Sequence, residues 1–149
     1  MAGKLVVDTN AVIAFRAGID KVVNLISEAT AVFIPAIVLG ELLYGAMNSA
    51  NSNRNLEIVR KFLEHFILIH VDEQTAWKYA EIRSNLKLIG KPIPENDIWI
   101  AAMCKKLELP LLTRDEYFNN VPGKEILSWQ NIVDWRCHMH MSTREIYHL

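Results

Sequence analysis

The stretch Leu5-Val6-Val7-Asp8-Thr9-Asn10 decides how the rest of the chain is interpreted. Three apolar residues, two of them β-branched valines, lead directly into a carboxylate, which is typical of a short buried strand that ends at Asp8. In open α/β sheets, binding and catalytic groups collect at the carboxyl ends of strands. Asp8 or Asn10 could instead simply cap the helix that follows, and this stretch alone does not separate the two interpretations.

The length and composition of the chain favour one globular domain. With 149 residues, of which 51% are hydrophobic, the chain is large enough for its own core and is not typical of a disordered segment. No apolar run reaches transmembrane length and no signal peptide is recognisable, so we expect a cytoplasmic protein that does not enter a membrane. The two cysteines, Cys104 and Cys137, form no disulfide framework and no metal-binding spacing, and Cys104 is expected to be a reduced core thiol.

Strand and helix patterns alternate along the chain and predict a parallel sheet that is covered by helices on both faces. After the first strand, we expect strands at 31–34, 66–71, 109–112 and 126–129. The predicted helices are one at about 10–17 ended by Gly18, one capped by Asp20, one from Pro35 to Met47, one around Leu56–Leu63, one from Asp72 to Gly90, and one opened by Pro94. Residues 48–55, rich in Asn and Ser, are expected to form a loop.

Four acidic residues occupy positions where an ordinary surface acid is not expected. Asp8 and Asp115 follow predicted strands, Glu41 lies within an apolar helix, and Asp97 lies in the first turn of another helix with apolar neighbours. Simpler interpretations exist, since Glu41 could be a surface glutamate and the helix dipole favours an acid at Asp97. Gathered in one pocket, four carboxylates would repel one another unless a cation such as Mg²⁺ bound there. Such clusters suggest metal-dependent hydrolysis of a phosphodiester.

The charge balance is compatible with a nucleic-acid substrate. The net charge is −1, from seventeen acidic and sixteen basic residues. If the four candidate acids are set aside, thirteen acids remain against sixteen Lys and Arg, so the rest of the protein carries a charge of +3.

Four blocks of the sequence together resemble the signature motifs of PIN-domain ribonucleases, and most nearly those of VapC-type toxins from toxin–antitoxin pairs. The blocks are Leu5–Asn10, Pro35–Leu42, Asn96–Ala102 and Leu111–Phe118, and the resemblance covers roughly residues 4–133. It implies a PIN-like three-layer α/β/α domain around a mostly parallel five-stranded sheet, and an endoribonuclease that cleaves single-stranded RNA with Mg²⁺ or Mn²⁺. The catalytic and metal-binding residues that it implies are Asp8, Glu41, Asp97 and Asp115, with supporting polar side chains at Asn10 and Thr113.

The resemblance also implies partners. VapC-like proteins pair as homodimers and are held inactive by a cognate antitoxin, and the apolar helix faces at 22–26 and 36–47 are compatible with a dimer. We expect the nuclease domain to span 1–135, followed by a tail at 136–149 that is flexible or docks a partner. His138 and His140 lie in that tail and could also bind a metal.

Other interpretations fit less well. A haloacid-dehalogenase-type phosphatase requires a second aspartate two residues after the first, where this chain has Asn10. A receiver domain requires a phosphoacceptor aspartate at the end of a strand in the middle of the chain, and a lysine late in the sequence. A non-enzymatic alternative is a PIN fold that binds RNA or a protein partner without cleavage.

Overall fold

The computed structural model of the chain describes residues 3–123 and 126–129. Its centre is a five-stranded sheet in which every pairing is parallel, in the order β3-β2-β1-β4-β5. The strands are β1 Lys4–Val7, β2 Ala31–Pro35, β3 Ile67–Ile69, β4 Leu111–Leu112 and β5 Ile126–Leu127. The helices are α1 Thr9–Arg16, α2 Asp20–Glu28, α3 Ala36–Met47, α4 Ser52–Leu63, α5 Glu73–Leu88, α6 Glu95–Leu107 and a 3₁₀ helix at Glu116–Asn120. The predicted α/β class and five-stranded sheet are confirmed.

The strand order changes direction between β1 and β4. The chain passes from β1 through β2 to β3 at one edge, and then crosses to β4 and β5 on the other side of β1. Since crossovers between parallel strands are right-handed in almost all proteins, α1–α4 lie on one face and α5 and α6 on the other, which gives three layers. Ligands of open α/β sheets bind where the strand order reverses, which here is at the carboxyl ends of β1 and β4.

The core lies on both faces of the central strand. Val6 and Val7 are completely buried, as expected for a parallel strand with helices on either side. Val22, Val23 and Ile26 of α2 are also buried within this single chain. The sequence analysis considered this apolar face compatible with a dimer contact. In the structure it covers the chain's own sheet.

The predicted helix ends at glycine and aspartate are confirmed at three positions. Gly18 and Gly90 follow α1 and α5 with φ of +75° and +67°, a left-handed conformation that glycine adopts without a steric penalty. Asp72 caps α5, where its side chain accepts a hydrogen bond from the backbone N–H of Thr75 at 2.9 Å.

Several predicted boundaries are wrong, for identifiable reasons. The N-cap of α2 is Ile19 rather than Asp20, and α4 begins at Ser52, inside the predicted loop. β3 ends at Ile69 because β2, the one strand that pairs with it among the described residues, ends at the paired residue Pro35, after which α3 begins. β4 begins after Pro110, which has no N–H to donate, although its carbonyl accepts a hydrogen bond from the sheet at 2.9 Å.

Two further sequence predictions can be compared with the fold. Cys104 is a buried thiol, as predicted. Within residues 3–123 and 126–129, no helix combines the length and apolar character needed to cross a membrane. The predicted domain end near residue 135, the tail at 136–149, and His138 and His140 lie outside the described residues and stay predictions.

Candidate functional site

Asp8 lies at the carboxyl end of β1 and is held through both carboxylate oxygens. Its side chain is buried, with 4% of the residue exposed. One oxygen accepts a hydrogen bond from the backbone N–H of Thr9 at 2.8 Å and so caps α1. The other accepts from the Thr113 hydroxyl at 2.7 Å and from the Asn10 side-chain amide at 3.2 Å. The same carboxylate therefore caps α1 and forms part of the candidate site, so the two interpretations of the sequence are compatible.

Thr113 and Asn10 join the ends of β1 and β4 around this carboxylate. The Thr113 hydroxyl donates to Asp8 and accepts from the backbone N–H of Asp115 at 3.0 Å. The Asn10 carbonyl oxygen accepts from the backbone N–H of Arg114 at 3.2 Å. Both residues that the sequence resemblance placed in a supporting position thus contact Asp8 directly.

Glu41 points toward the same region from α3. One of its carboxylate oxygens accepts a hydrogen bond from the Thr9 hydroxyl at 2.7 Å. The other accepts from the side-chain amide of Asn96 at 3.1 Å. The sequence interpretation missed the contributions of Thr9 and Asn96. The only signal for them was their position next to Asp8 and Asp97 in two of the quoted blocks.

Asp97 and Asp115 complete the set of predicted acids. Asp97 is half-buried in the first turn of α6, where its backbone N–H donates to the carbonyl of Pro94 at 3.0 Å. Asp115 follows β4 by three residues and caps the 3₁₀ helix, with its side chain accepting from the backbone N–H of Tyr117 at 3.5 Å. Asp97 and Asp115 therefore both lie at the start of a helix, and Asp115 also caps its helix.

The electrostatics show that the four acids occupy one region. Burial, followed by the charges of Asp8, Asp115 and Glu41, raises the pKa of Asp97 to about 7. Burial also raises the pKa of Asp8, although the hydrogen bonds from Thr113 and Thr9 oppose this and the charges of Glu41 and Asp115 add to it. Because the charges of Glu41 and Asp115 act on both Asp8 and Asp97, and these acids come from four separate elements, the structure brings together the acids that the sequence singled out.

The donor set fits a hydrated hard cation rather than a closed metal cage. As their side chains are oriented, no three His, Cys, Asp or Glu residues in the described part of the chain stand close enough to hold a metal ion as a group. Mg²⁺ commonly binds through one or two carboxylates and keeps several waters. Four mutually repelling carboxylates, one with its pKa near 7, provide oxygen ligands of the type that this ion prefers.

Comparisons with known proteins find matches over most of the chain. The PIN domain family matches residues 5–124. The chain is similar to the tRNA(fMet)-specific endonuclease VapC of Salmonella typhimurium, with 33% identity over 97 residues that cover 64% of this chain and 74% of the relative. It is also similar to ribonuclease VapC2 of Haemophilus influenzae, with 30% identity over 114 residues, or 75% of this chain and 86% of the relative.

Solved structures show the same architecture. The DNA-bound VapBC of Salmonella typhimurium aligns with a TM-score of 0.76 and 28% identity, over 87% of this chain and 99% of the solved chain.

The raised pKa of Asp97 predicts a specific dependence of stability on pH in metal-free buffer. The ordinary pKa of this carboxyl is 3.8, and folding raises it to about 7. Between these values the folded protein holds a proton that the unfolded chain has released, so the free energy of unfolding falls as the pH rises through this window. Asp97→Asn removes this loss and should raise the melting temperature at pH 7.5 by a few degrees, while the two proteins converge near pH 4.

Thermal unfolding in EDTA from pH 4 to pH 8 provides the measurement. A shift of a few degrees is resolvable, because about 1 kcal/mol moves the melting temperature of a domain of this size by roughly 2–8 °C. The matched control is Glu28→Gln, an exposed acid at the end of α2, which should follow the wild type. Parallel pH curves for wild type and Asp97→Asn would contradict the assignment.

Proposed function

The chain belongs to the PIN-domain family and, within it, to the VapC ribonucleases, and we propose that it is a metal-dependent endoribonuclease that acts as the toxin of a toxin–antitoxin pair. Single-stranded RNA is the proposed substrate. The observation that carries the proposal is the group of four carboxylates at the point where the strand order reverses, where burial, followed by the charges of the other three acids, raises the pKa of Asp97 to about 7. Such a group favours a bound divalent cation, and a divalent cation can promote the hydrolysis of a phosphodiester.

Asp8, Glu41, Asp97 and Asp115 are the proposed metal-binding and catalytic residues, with Mg²⁺ or Mn²⁺ as the cofactor. When bound, such an ion lowers the pKa of a water and offsets negative charge that develops on the phosphate. The protein's own part is to fix the carboxylates. Thr113 and Asn10 keep Asp8 oriented, while Thr9 and Asn96 hold the two oxygens of Glu41.

An apolar cleft beside Glu41 supports an antitoxin as the partner. The cleft has a volume of about 320 Å³ and lies between α1, α3 and α4. Its lining includes Ile13, Arg16, Leu42, Gly45, Ile58 and Phe62, and it reaches Thr9 and Glu41. An apolar segment of an antitoxin seated in this cleft would lie against the acidic site and block access to it. The solved Salmonella typhimurium relative is described as a VapBC complex, which accords with such a partner.

The outward side of α3 supports a homodimer. Tyr44 and Met47 are 72% and 60% exposed, and Gly40 and Leu43 lie on the same side of the helix. These positions have the spacing of one helix face and carry no charge. A helix that is apolar on all sides is usually covered, and an uncovered apolar strip on a monomer marks an interaction surface. A second copy of this chain is the proposed cover.

The nuclease activity is tested on labelled single-stranded RNA with Mg²⁺, Mn²⁺ or EDTA. We expect cleavage with either ion and none in EDTA. Asp97→Asn keeps the shape of the side chain but loses one ligand charge, so the rate should fall about 100-fold or more, as when charge stabilisation is removed at a reacting centre. Glu28→Gln should cleave like the wild type.

Cleavage in EDTA, or full activity of folded Asp97→Asn, would contradict the metal-dependent mechanism. Wild type that binds the RNA and leaves it intact with both ions would favour the alternative, a PIN-fold binding protein without cleavage activity.

The antitoxin cleft is tested by filling it. Gly45→Leu has room, because a Cβ at this position meets no atom within 4 Å, and the larger side chain should occupy the cleft. We expect weaker binding of the cognate antitoxin, measured by co-purification and calorimetry. Ala80→Leu, at an exposed position of α5, is the size-matched control and should bind as the wild type does. Equal affinity of all three proteins would reject the cleft as the binding site.

The dimer is tested by placing a charge on the outward side of α3. We expect wild type to be a dimer by light scattering at micromolar concentration and Tyr44→Lys to be a monomer, because burying an unpaired ammonium is unfavourable. Trp77→Lys is the matched control, since Trp77 is an aromatic residue of α5 with 67% exposure, and it should remain a dimer. A wild-type monomer would refute the proposed dimer.

A further inference from the structure

The segment that follows β4 presents a cation at the edge of the acidic site. Arg114 is exposed, but its backbone is fixed on both sides of its Cα. Its own N–H donates to Asn10, and the next N–H, of Asp115, donates to the Thr113 hydroxyl. The Arg114 side chain therefore leaves the chain one residue after the buried Thr113, which contacts Asp8 directly.

Arg114, like Arg54 but unlike three other arginines, has no ion pair or side-chain hydrogen bond among the described residues, and of these two only Arg114 directly follows the buried Thr113. Arg60 and Arg83 form ion pairs with Glu57 and Glu95, and Arg16 donates to Asn55. Among residues 3–123 and 126–129, no carboxylate lies within ion-pair distance of the Arg114 guanidinium, although four acids are gathered nearby. A guanidinium that lines the same cleft as Asp115 offers a polyanion such as RNA a point of attachment that the acids themselves cannot offer.

The 3₁₀ helix after Arg114 adds an aromatic ring and an amide to the same surface. Phe118 is completely buried and fixes the helix to the core. Tyr117 and Asn119 flank Phe118 in the sequence. Tyr117 is 50% exposed, and Asn119 is also exposed. Both residues line an open cleft of about 690 Å³ together with Arg114 and Asp115. The cleft is wide open to solvent and is also lined by Glu116 and Asn120.

We propose that Arg114, Tyr117 and Asn119 form a subsite for the nucleotide next to the phosphate that is cleaved. In this subsite Arg114 binds the phosphate of that nucleotide, Tyr117 stacks on its base, and Asn119 contacts the edge of the base. These are the three kinds of contact by which proteins bind unpaired RNA. The inference rests on the proposed function, because it assigns substrate-binding residues to that same site.

The test is the kinetics of cleavage of a labelled, sequence-randomised pool of single-stranded RNA with Mg²⁺. Arg114→Ala should raise the apparent KM about 10-fold or more with kcat within about threefold of wild type, since a charge-assisted contact to a phosphate is lost. The dependence of log(1/KM) on log salt should become less steep by about 0.7, the contribution of one phosphate contact in a single strand. Arg114→Lys should retain much of the salt dependence.

The other two residues have separate readouts. Tyr117→Ala should raise the apparent KM by about 5- to 100-fold, the usual effect of losing one base-stacking contact, whereas Tyr117→Phe should behave like the wild type. Asn119→Ala should change the base preference next to the cleaved bond, read by sequencing the products. Lys4→Ala is the charge-matched control, because Lys4 is exposed at the amino end of β1, opposite to Asp8.

The outcomes separate the subsite from the proposed function. If wild type cleaves RNA and Arg114→Ala matches Lys4→Ala in KM and salt dependence, the subsite is wrong while the nuclease function stands. A fall in kcat alone for Arg114→Ala would also overturn the subsite, because it would place the arginine in the chemistry. Wild type that neither binds nor cleaves RNA would overturn both.

Discussion

The hydrogen bond from the Thr113 hydroxyl to Asp8, 2.7 Å long, is the contact on which the rest of the site depends. Asp8 follows the central strand of a sheet that is covered on both faces, so its carboxylate is taken out of water at a large cost unless other groups bind it. Thr113 follows the neighbouring strand β4, and its hydroxyl reaches Asp8 because the backbone N–H of Asp8 is itself bound to Leu112 at 3.1 Å. The pairing of β1 with β4 therefore determines the position of the acid.

Asp8 and Asp97 differ in how far hydrogen bonds oppose the rise in pKa that burial causes. Asp8 is the more deeply buried of the two, yet hydrogen bonds from Thr113 and Thr9 counter the rise of its pKa. Asp97 is only half-buried, and the causes that shift its pKa include no such bonds, so that burial and three neighbouring charges raise it to about 7. A folded protein that holds this unfavourable arrangement gives up stability, which the cation proposed to bind here would restore.

Two of the acids could be found from sequence because they interrupt a local apolar pattern, and Asp97 and Asp115 because of their places in a first helix turn and after a strand. Asp8 and Glu41 stand out within runs of Val, Ile and Leu, and such a pattern depends only on sequence neighbours. The hydrogen bond of Asn96 to Glu41 joins residues 55 positions apart, and no local pattern indicates it. The end of β3 is likewise not indicated by a local pattern, since a strand ends where its neighbour stops pairing, whereas β4 begins after Pro110, which has no N–H to donate. That the four acids form the active centre is a proposal, to which the sequence resemblance, the pKa shifts and the comparisons each lend support.

Different sides of helix α3 contribute to the acidic site, the apolar cleft and the proposed dimer contact. Successive residues of a helix are separated by about 100°, so one helix of three turns can serve several surfaces at once. Val38 faces the core, Glu41 meets Thr9 and Asn96, and Gly45 lines the apolar cleft. Tyr44 and Met47 lie on the outward side. If the antitoxin and the second copy bind as proposed, each contacts a different side of the helix that carries Glu41. Blocking the site and forming the dimer then require no competition for the same surface, and a dimer can be inhibited without first coming apart.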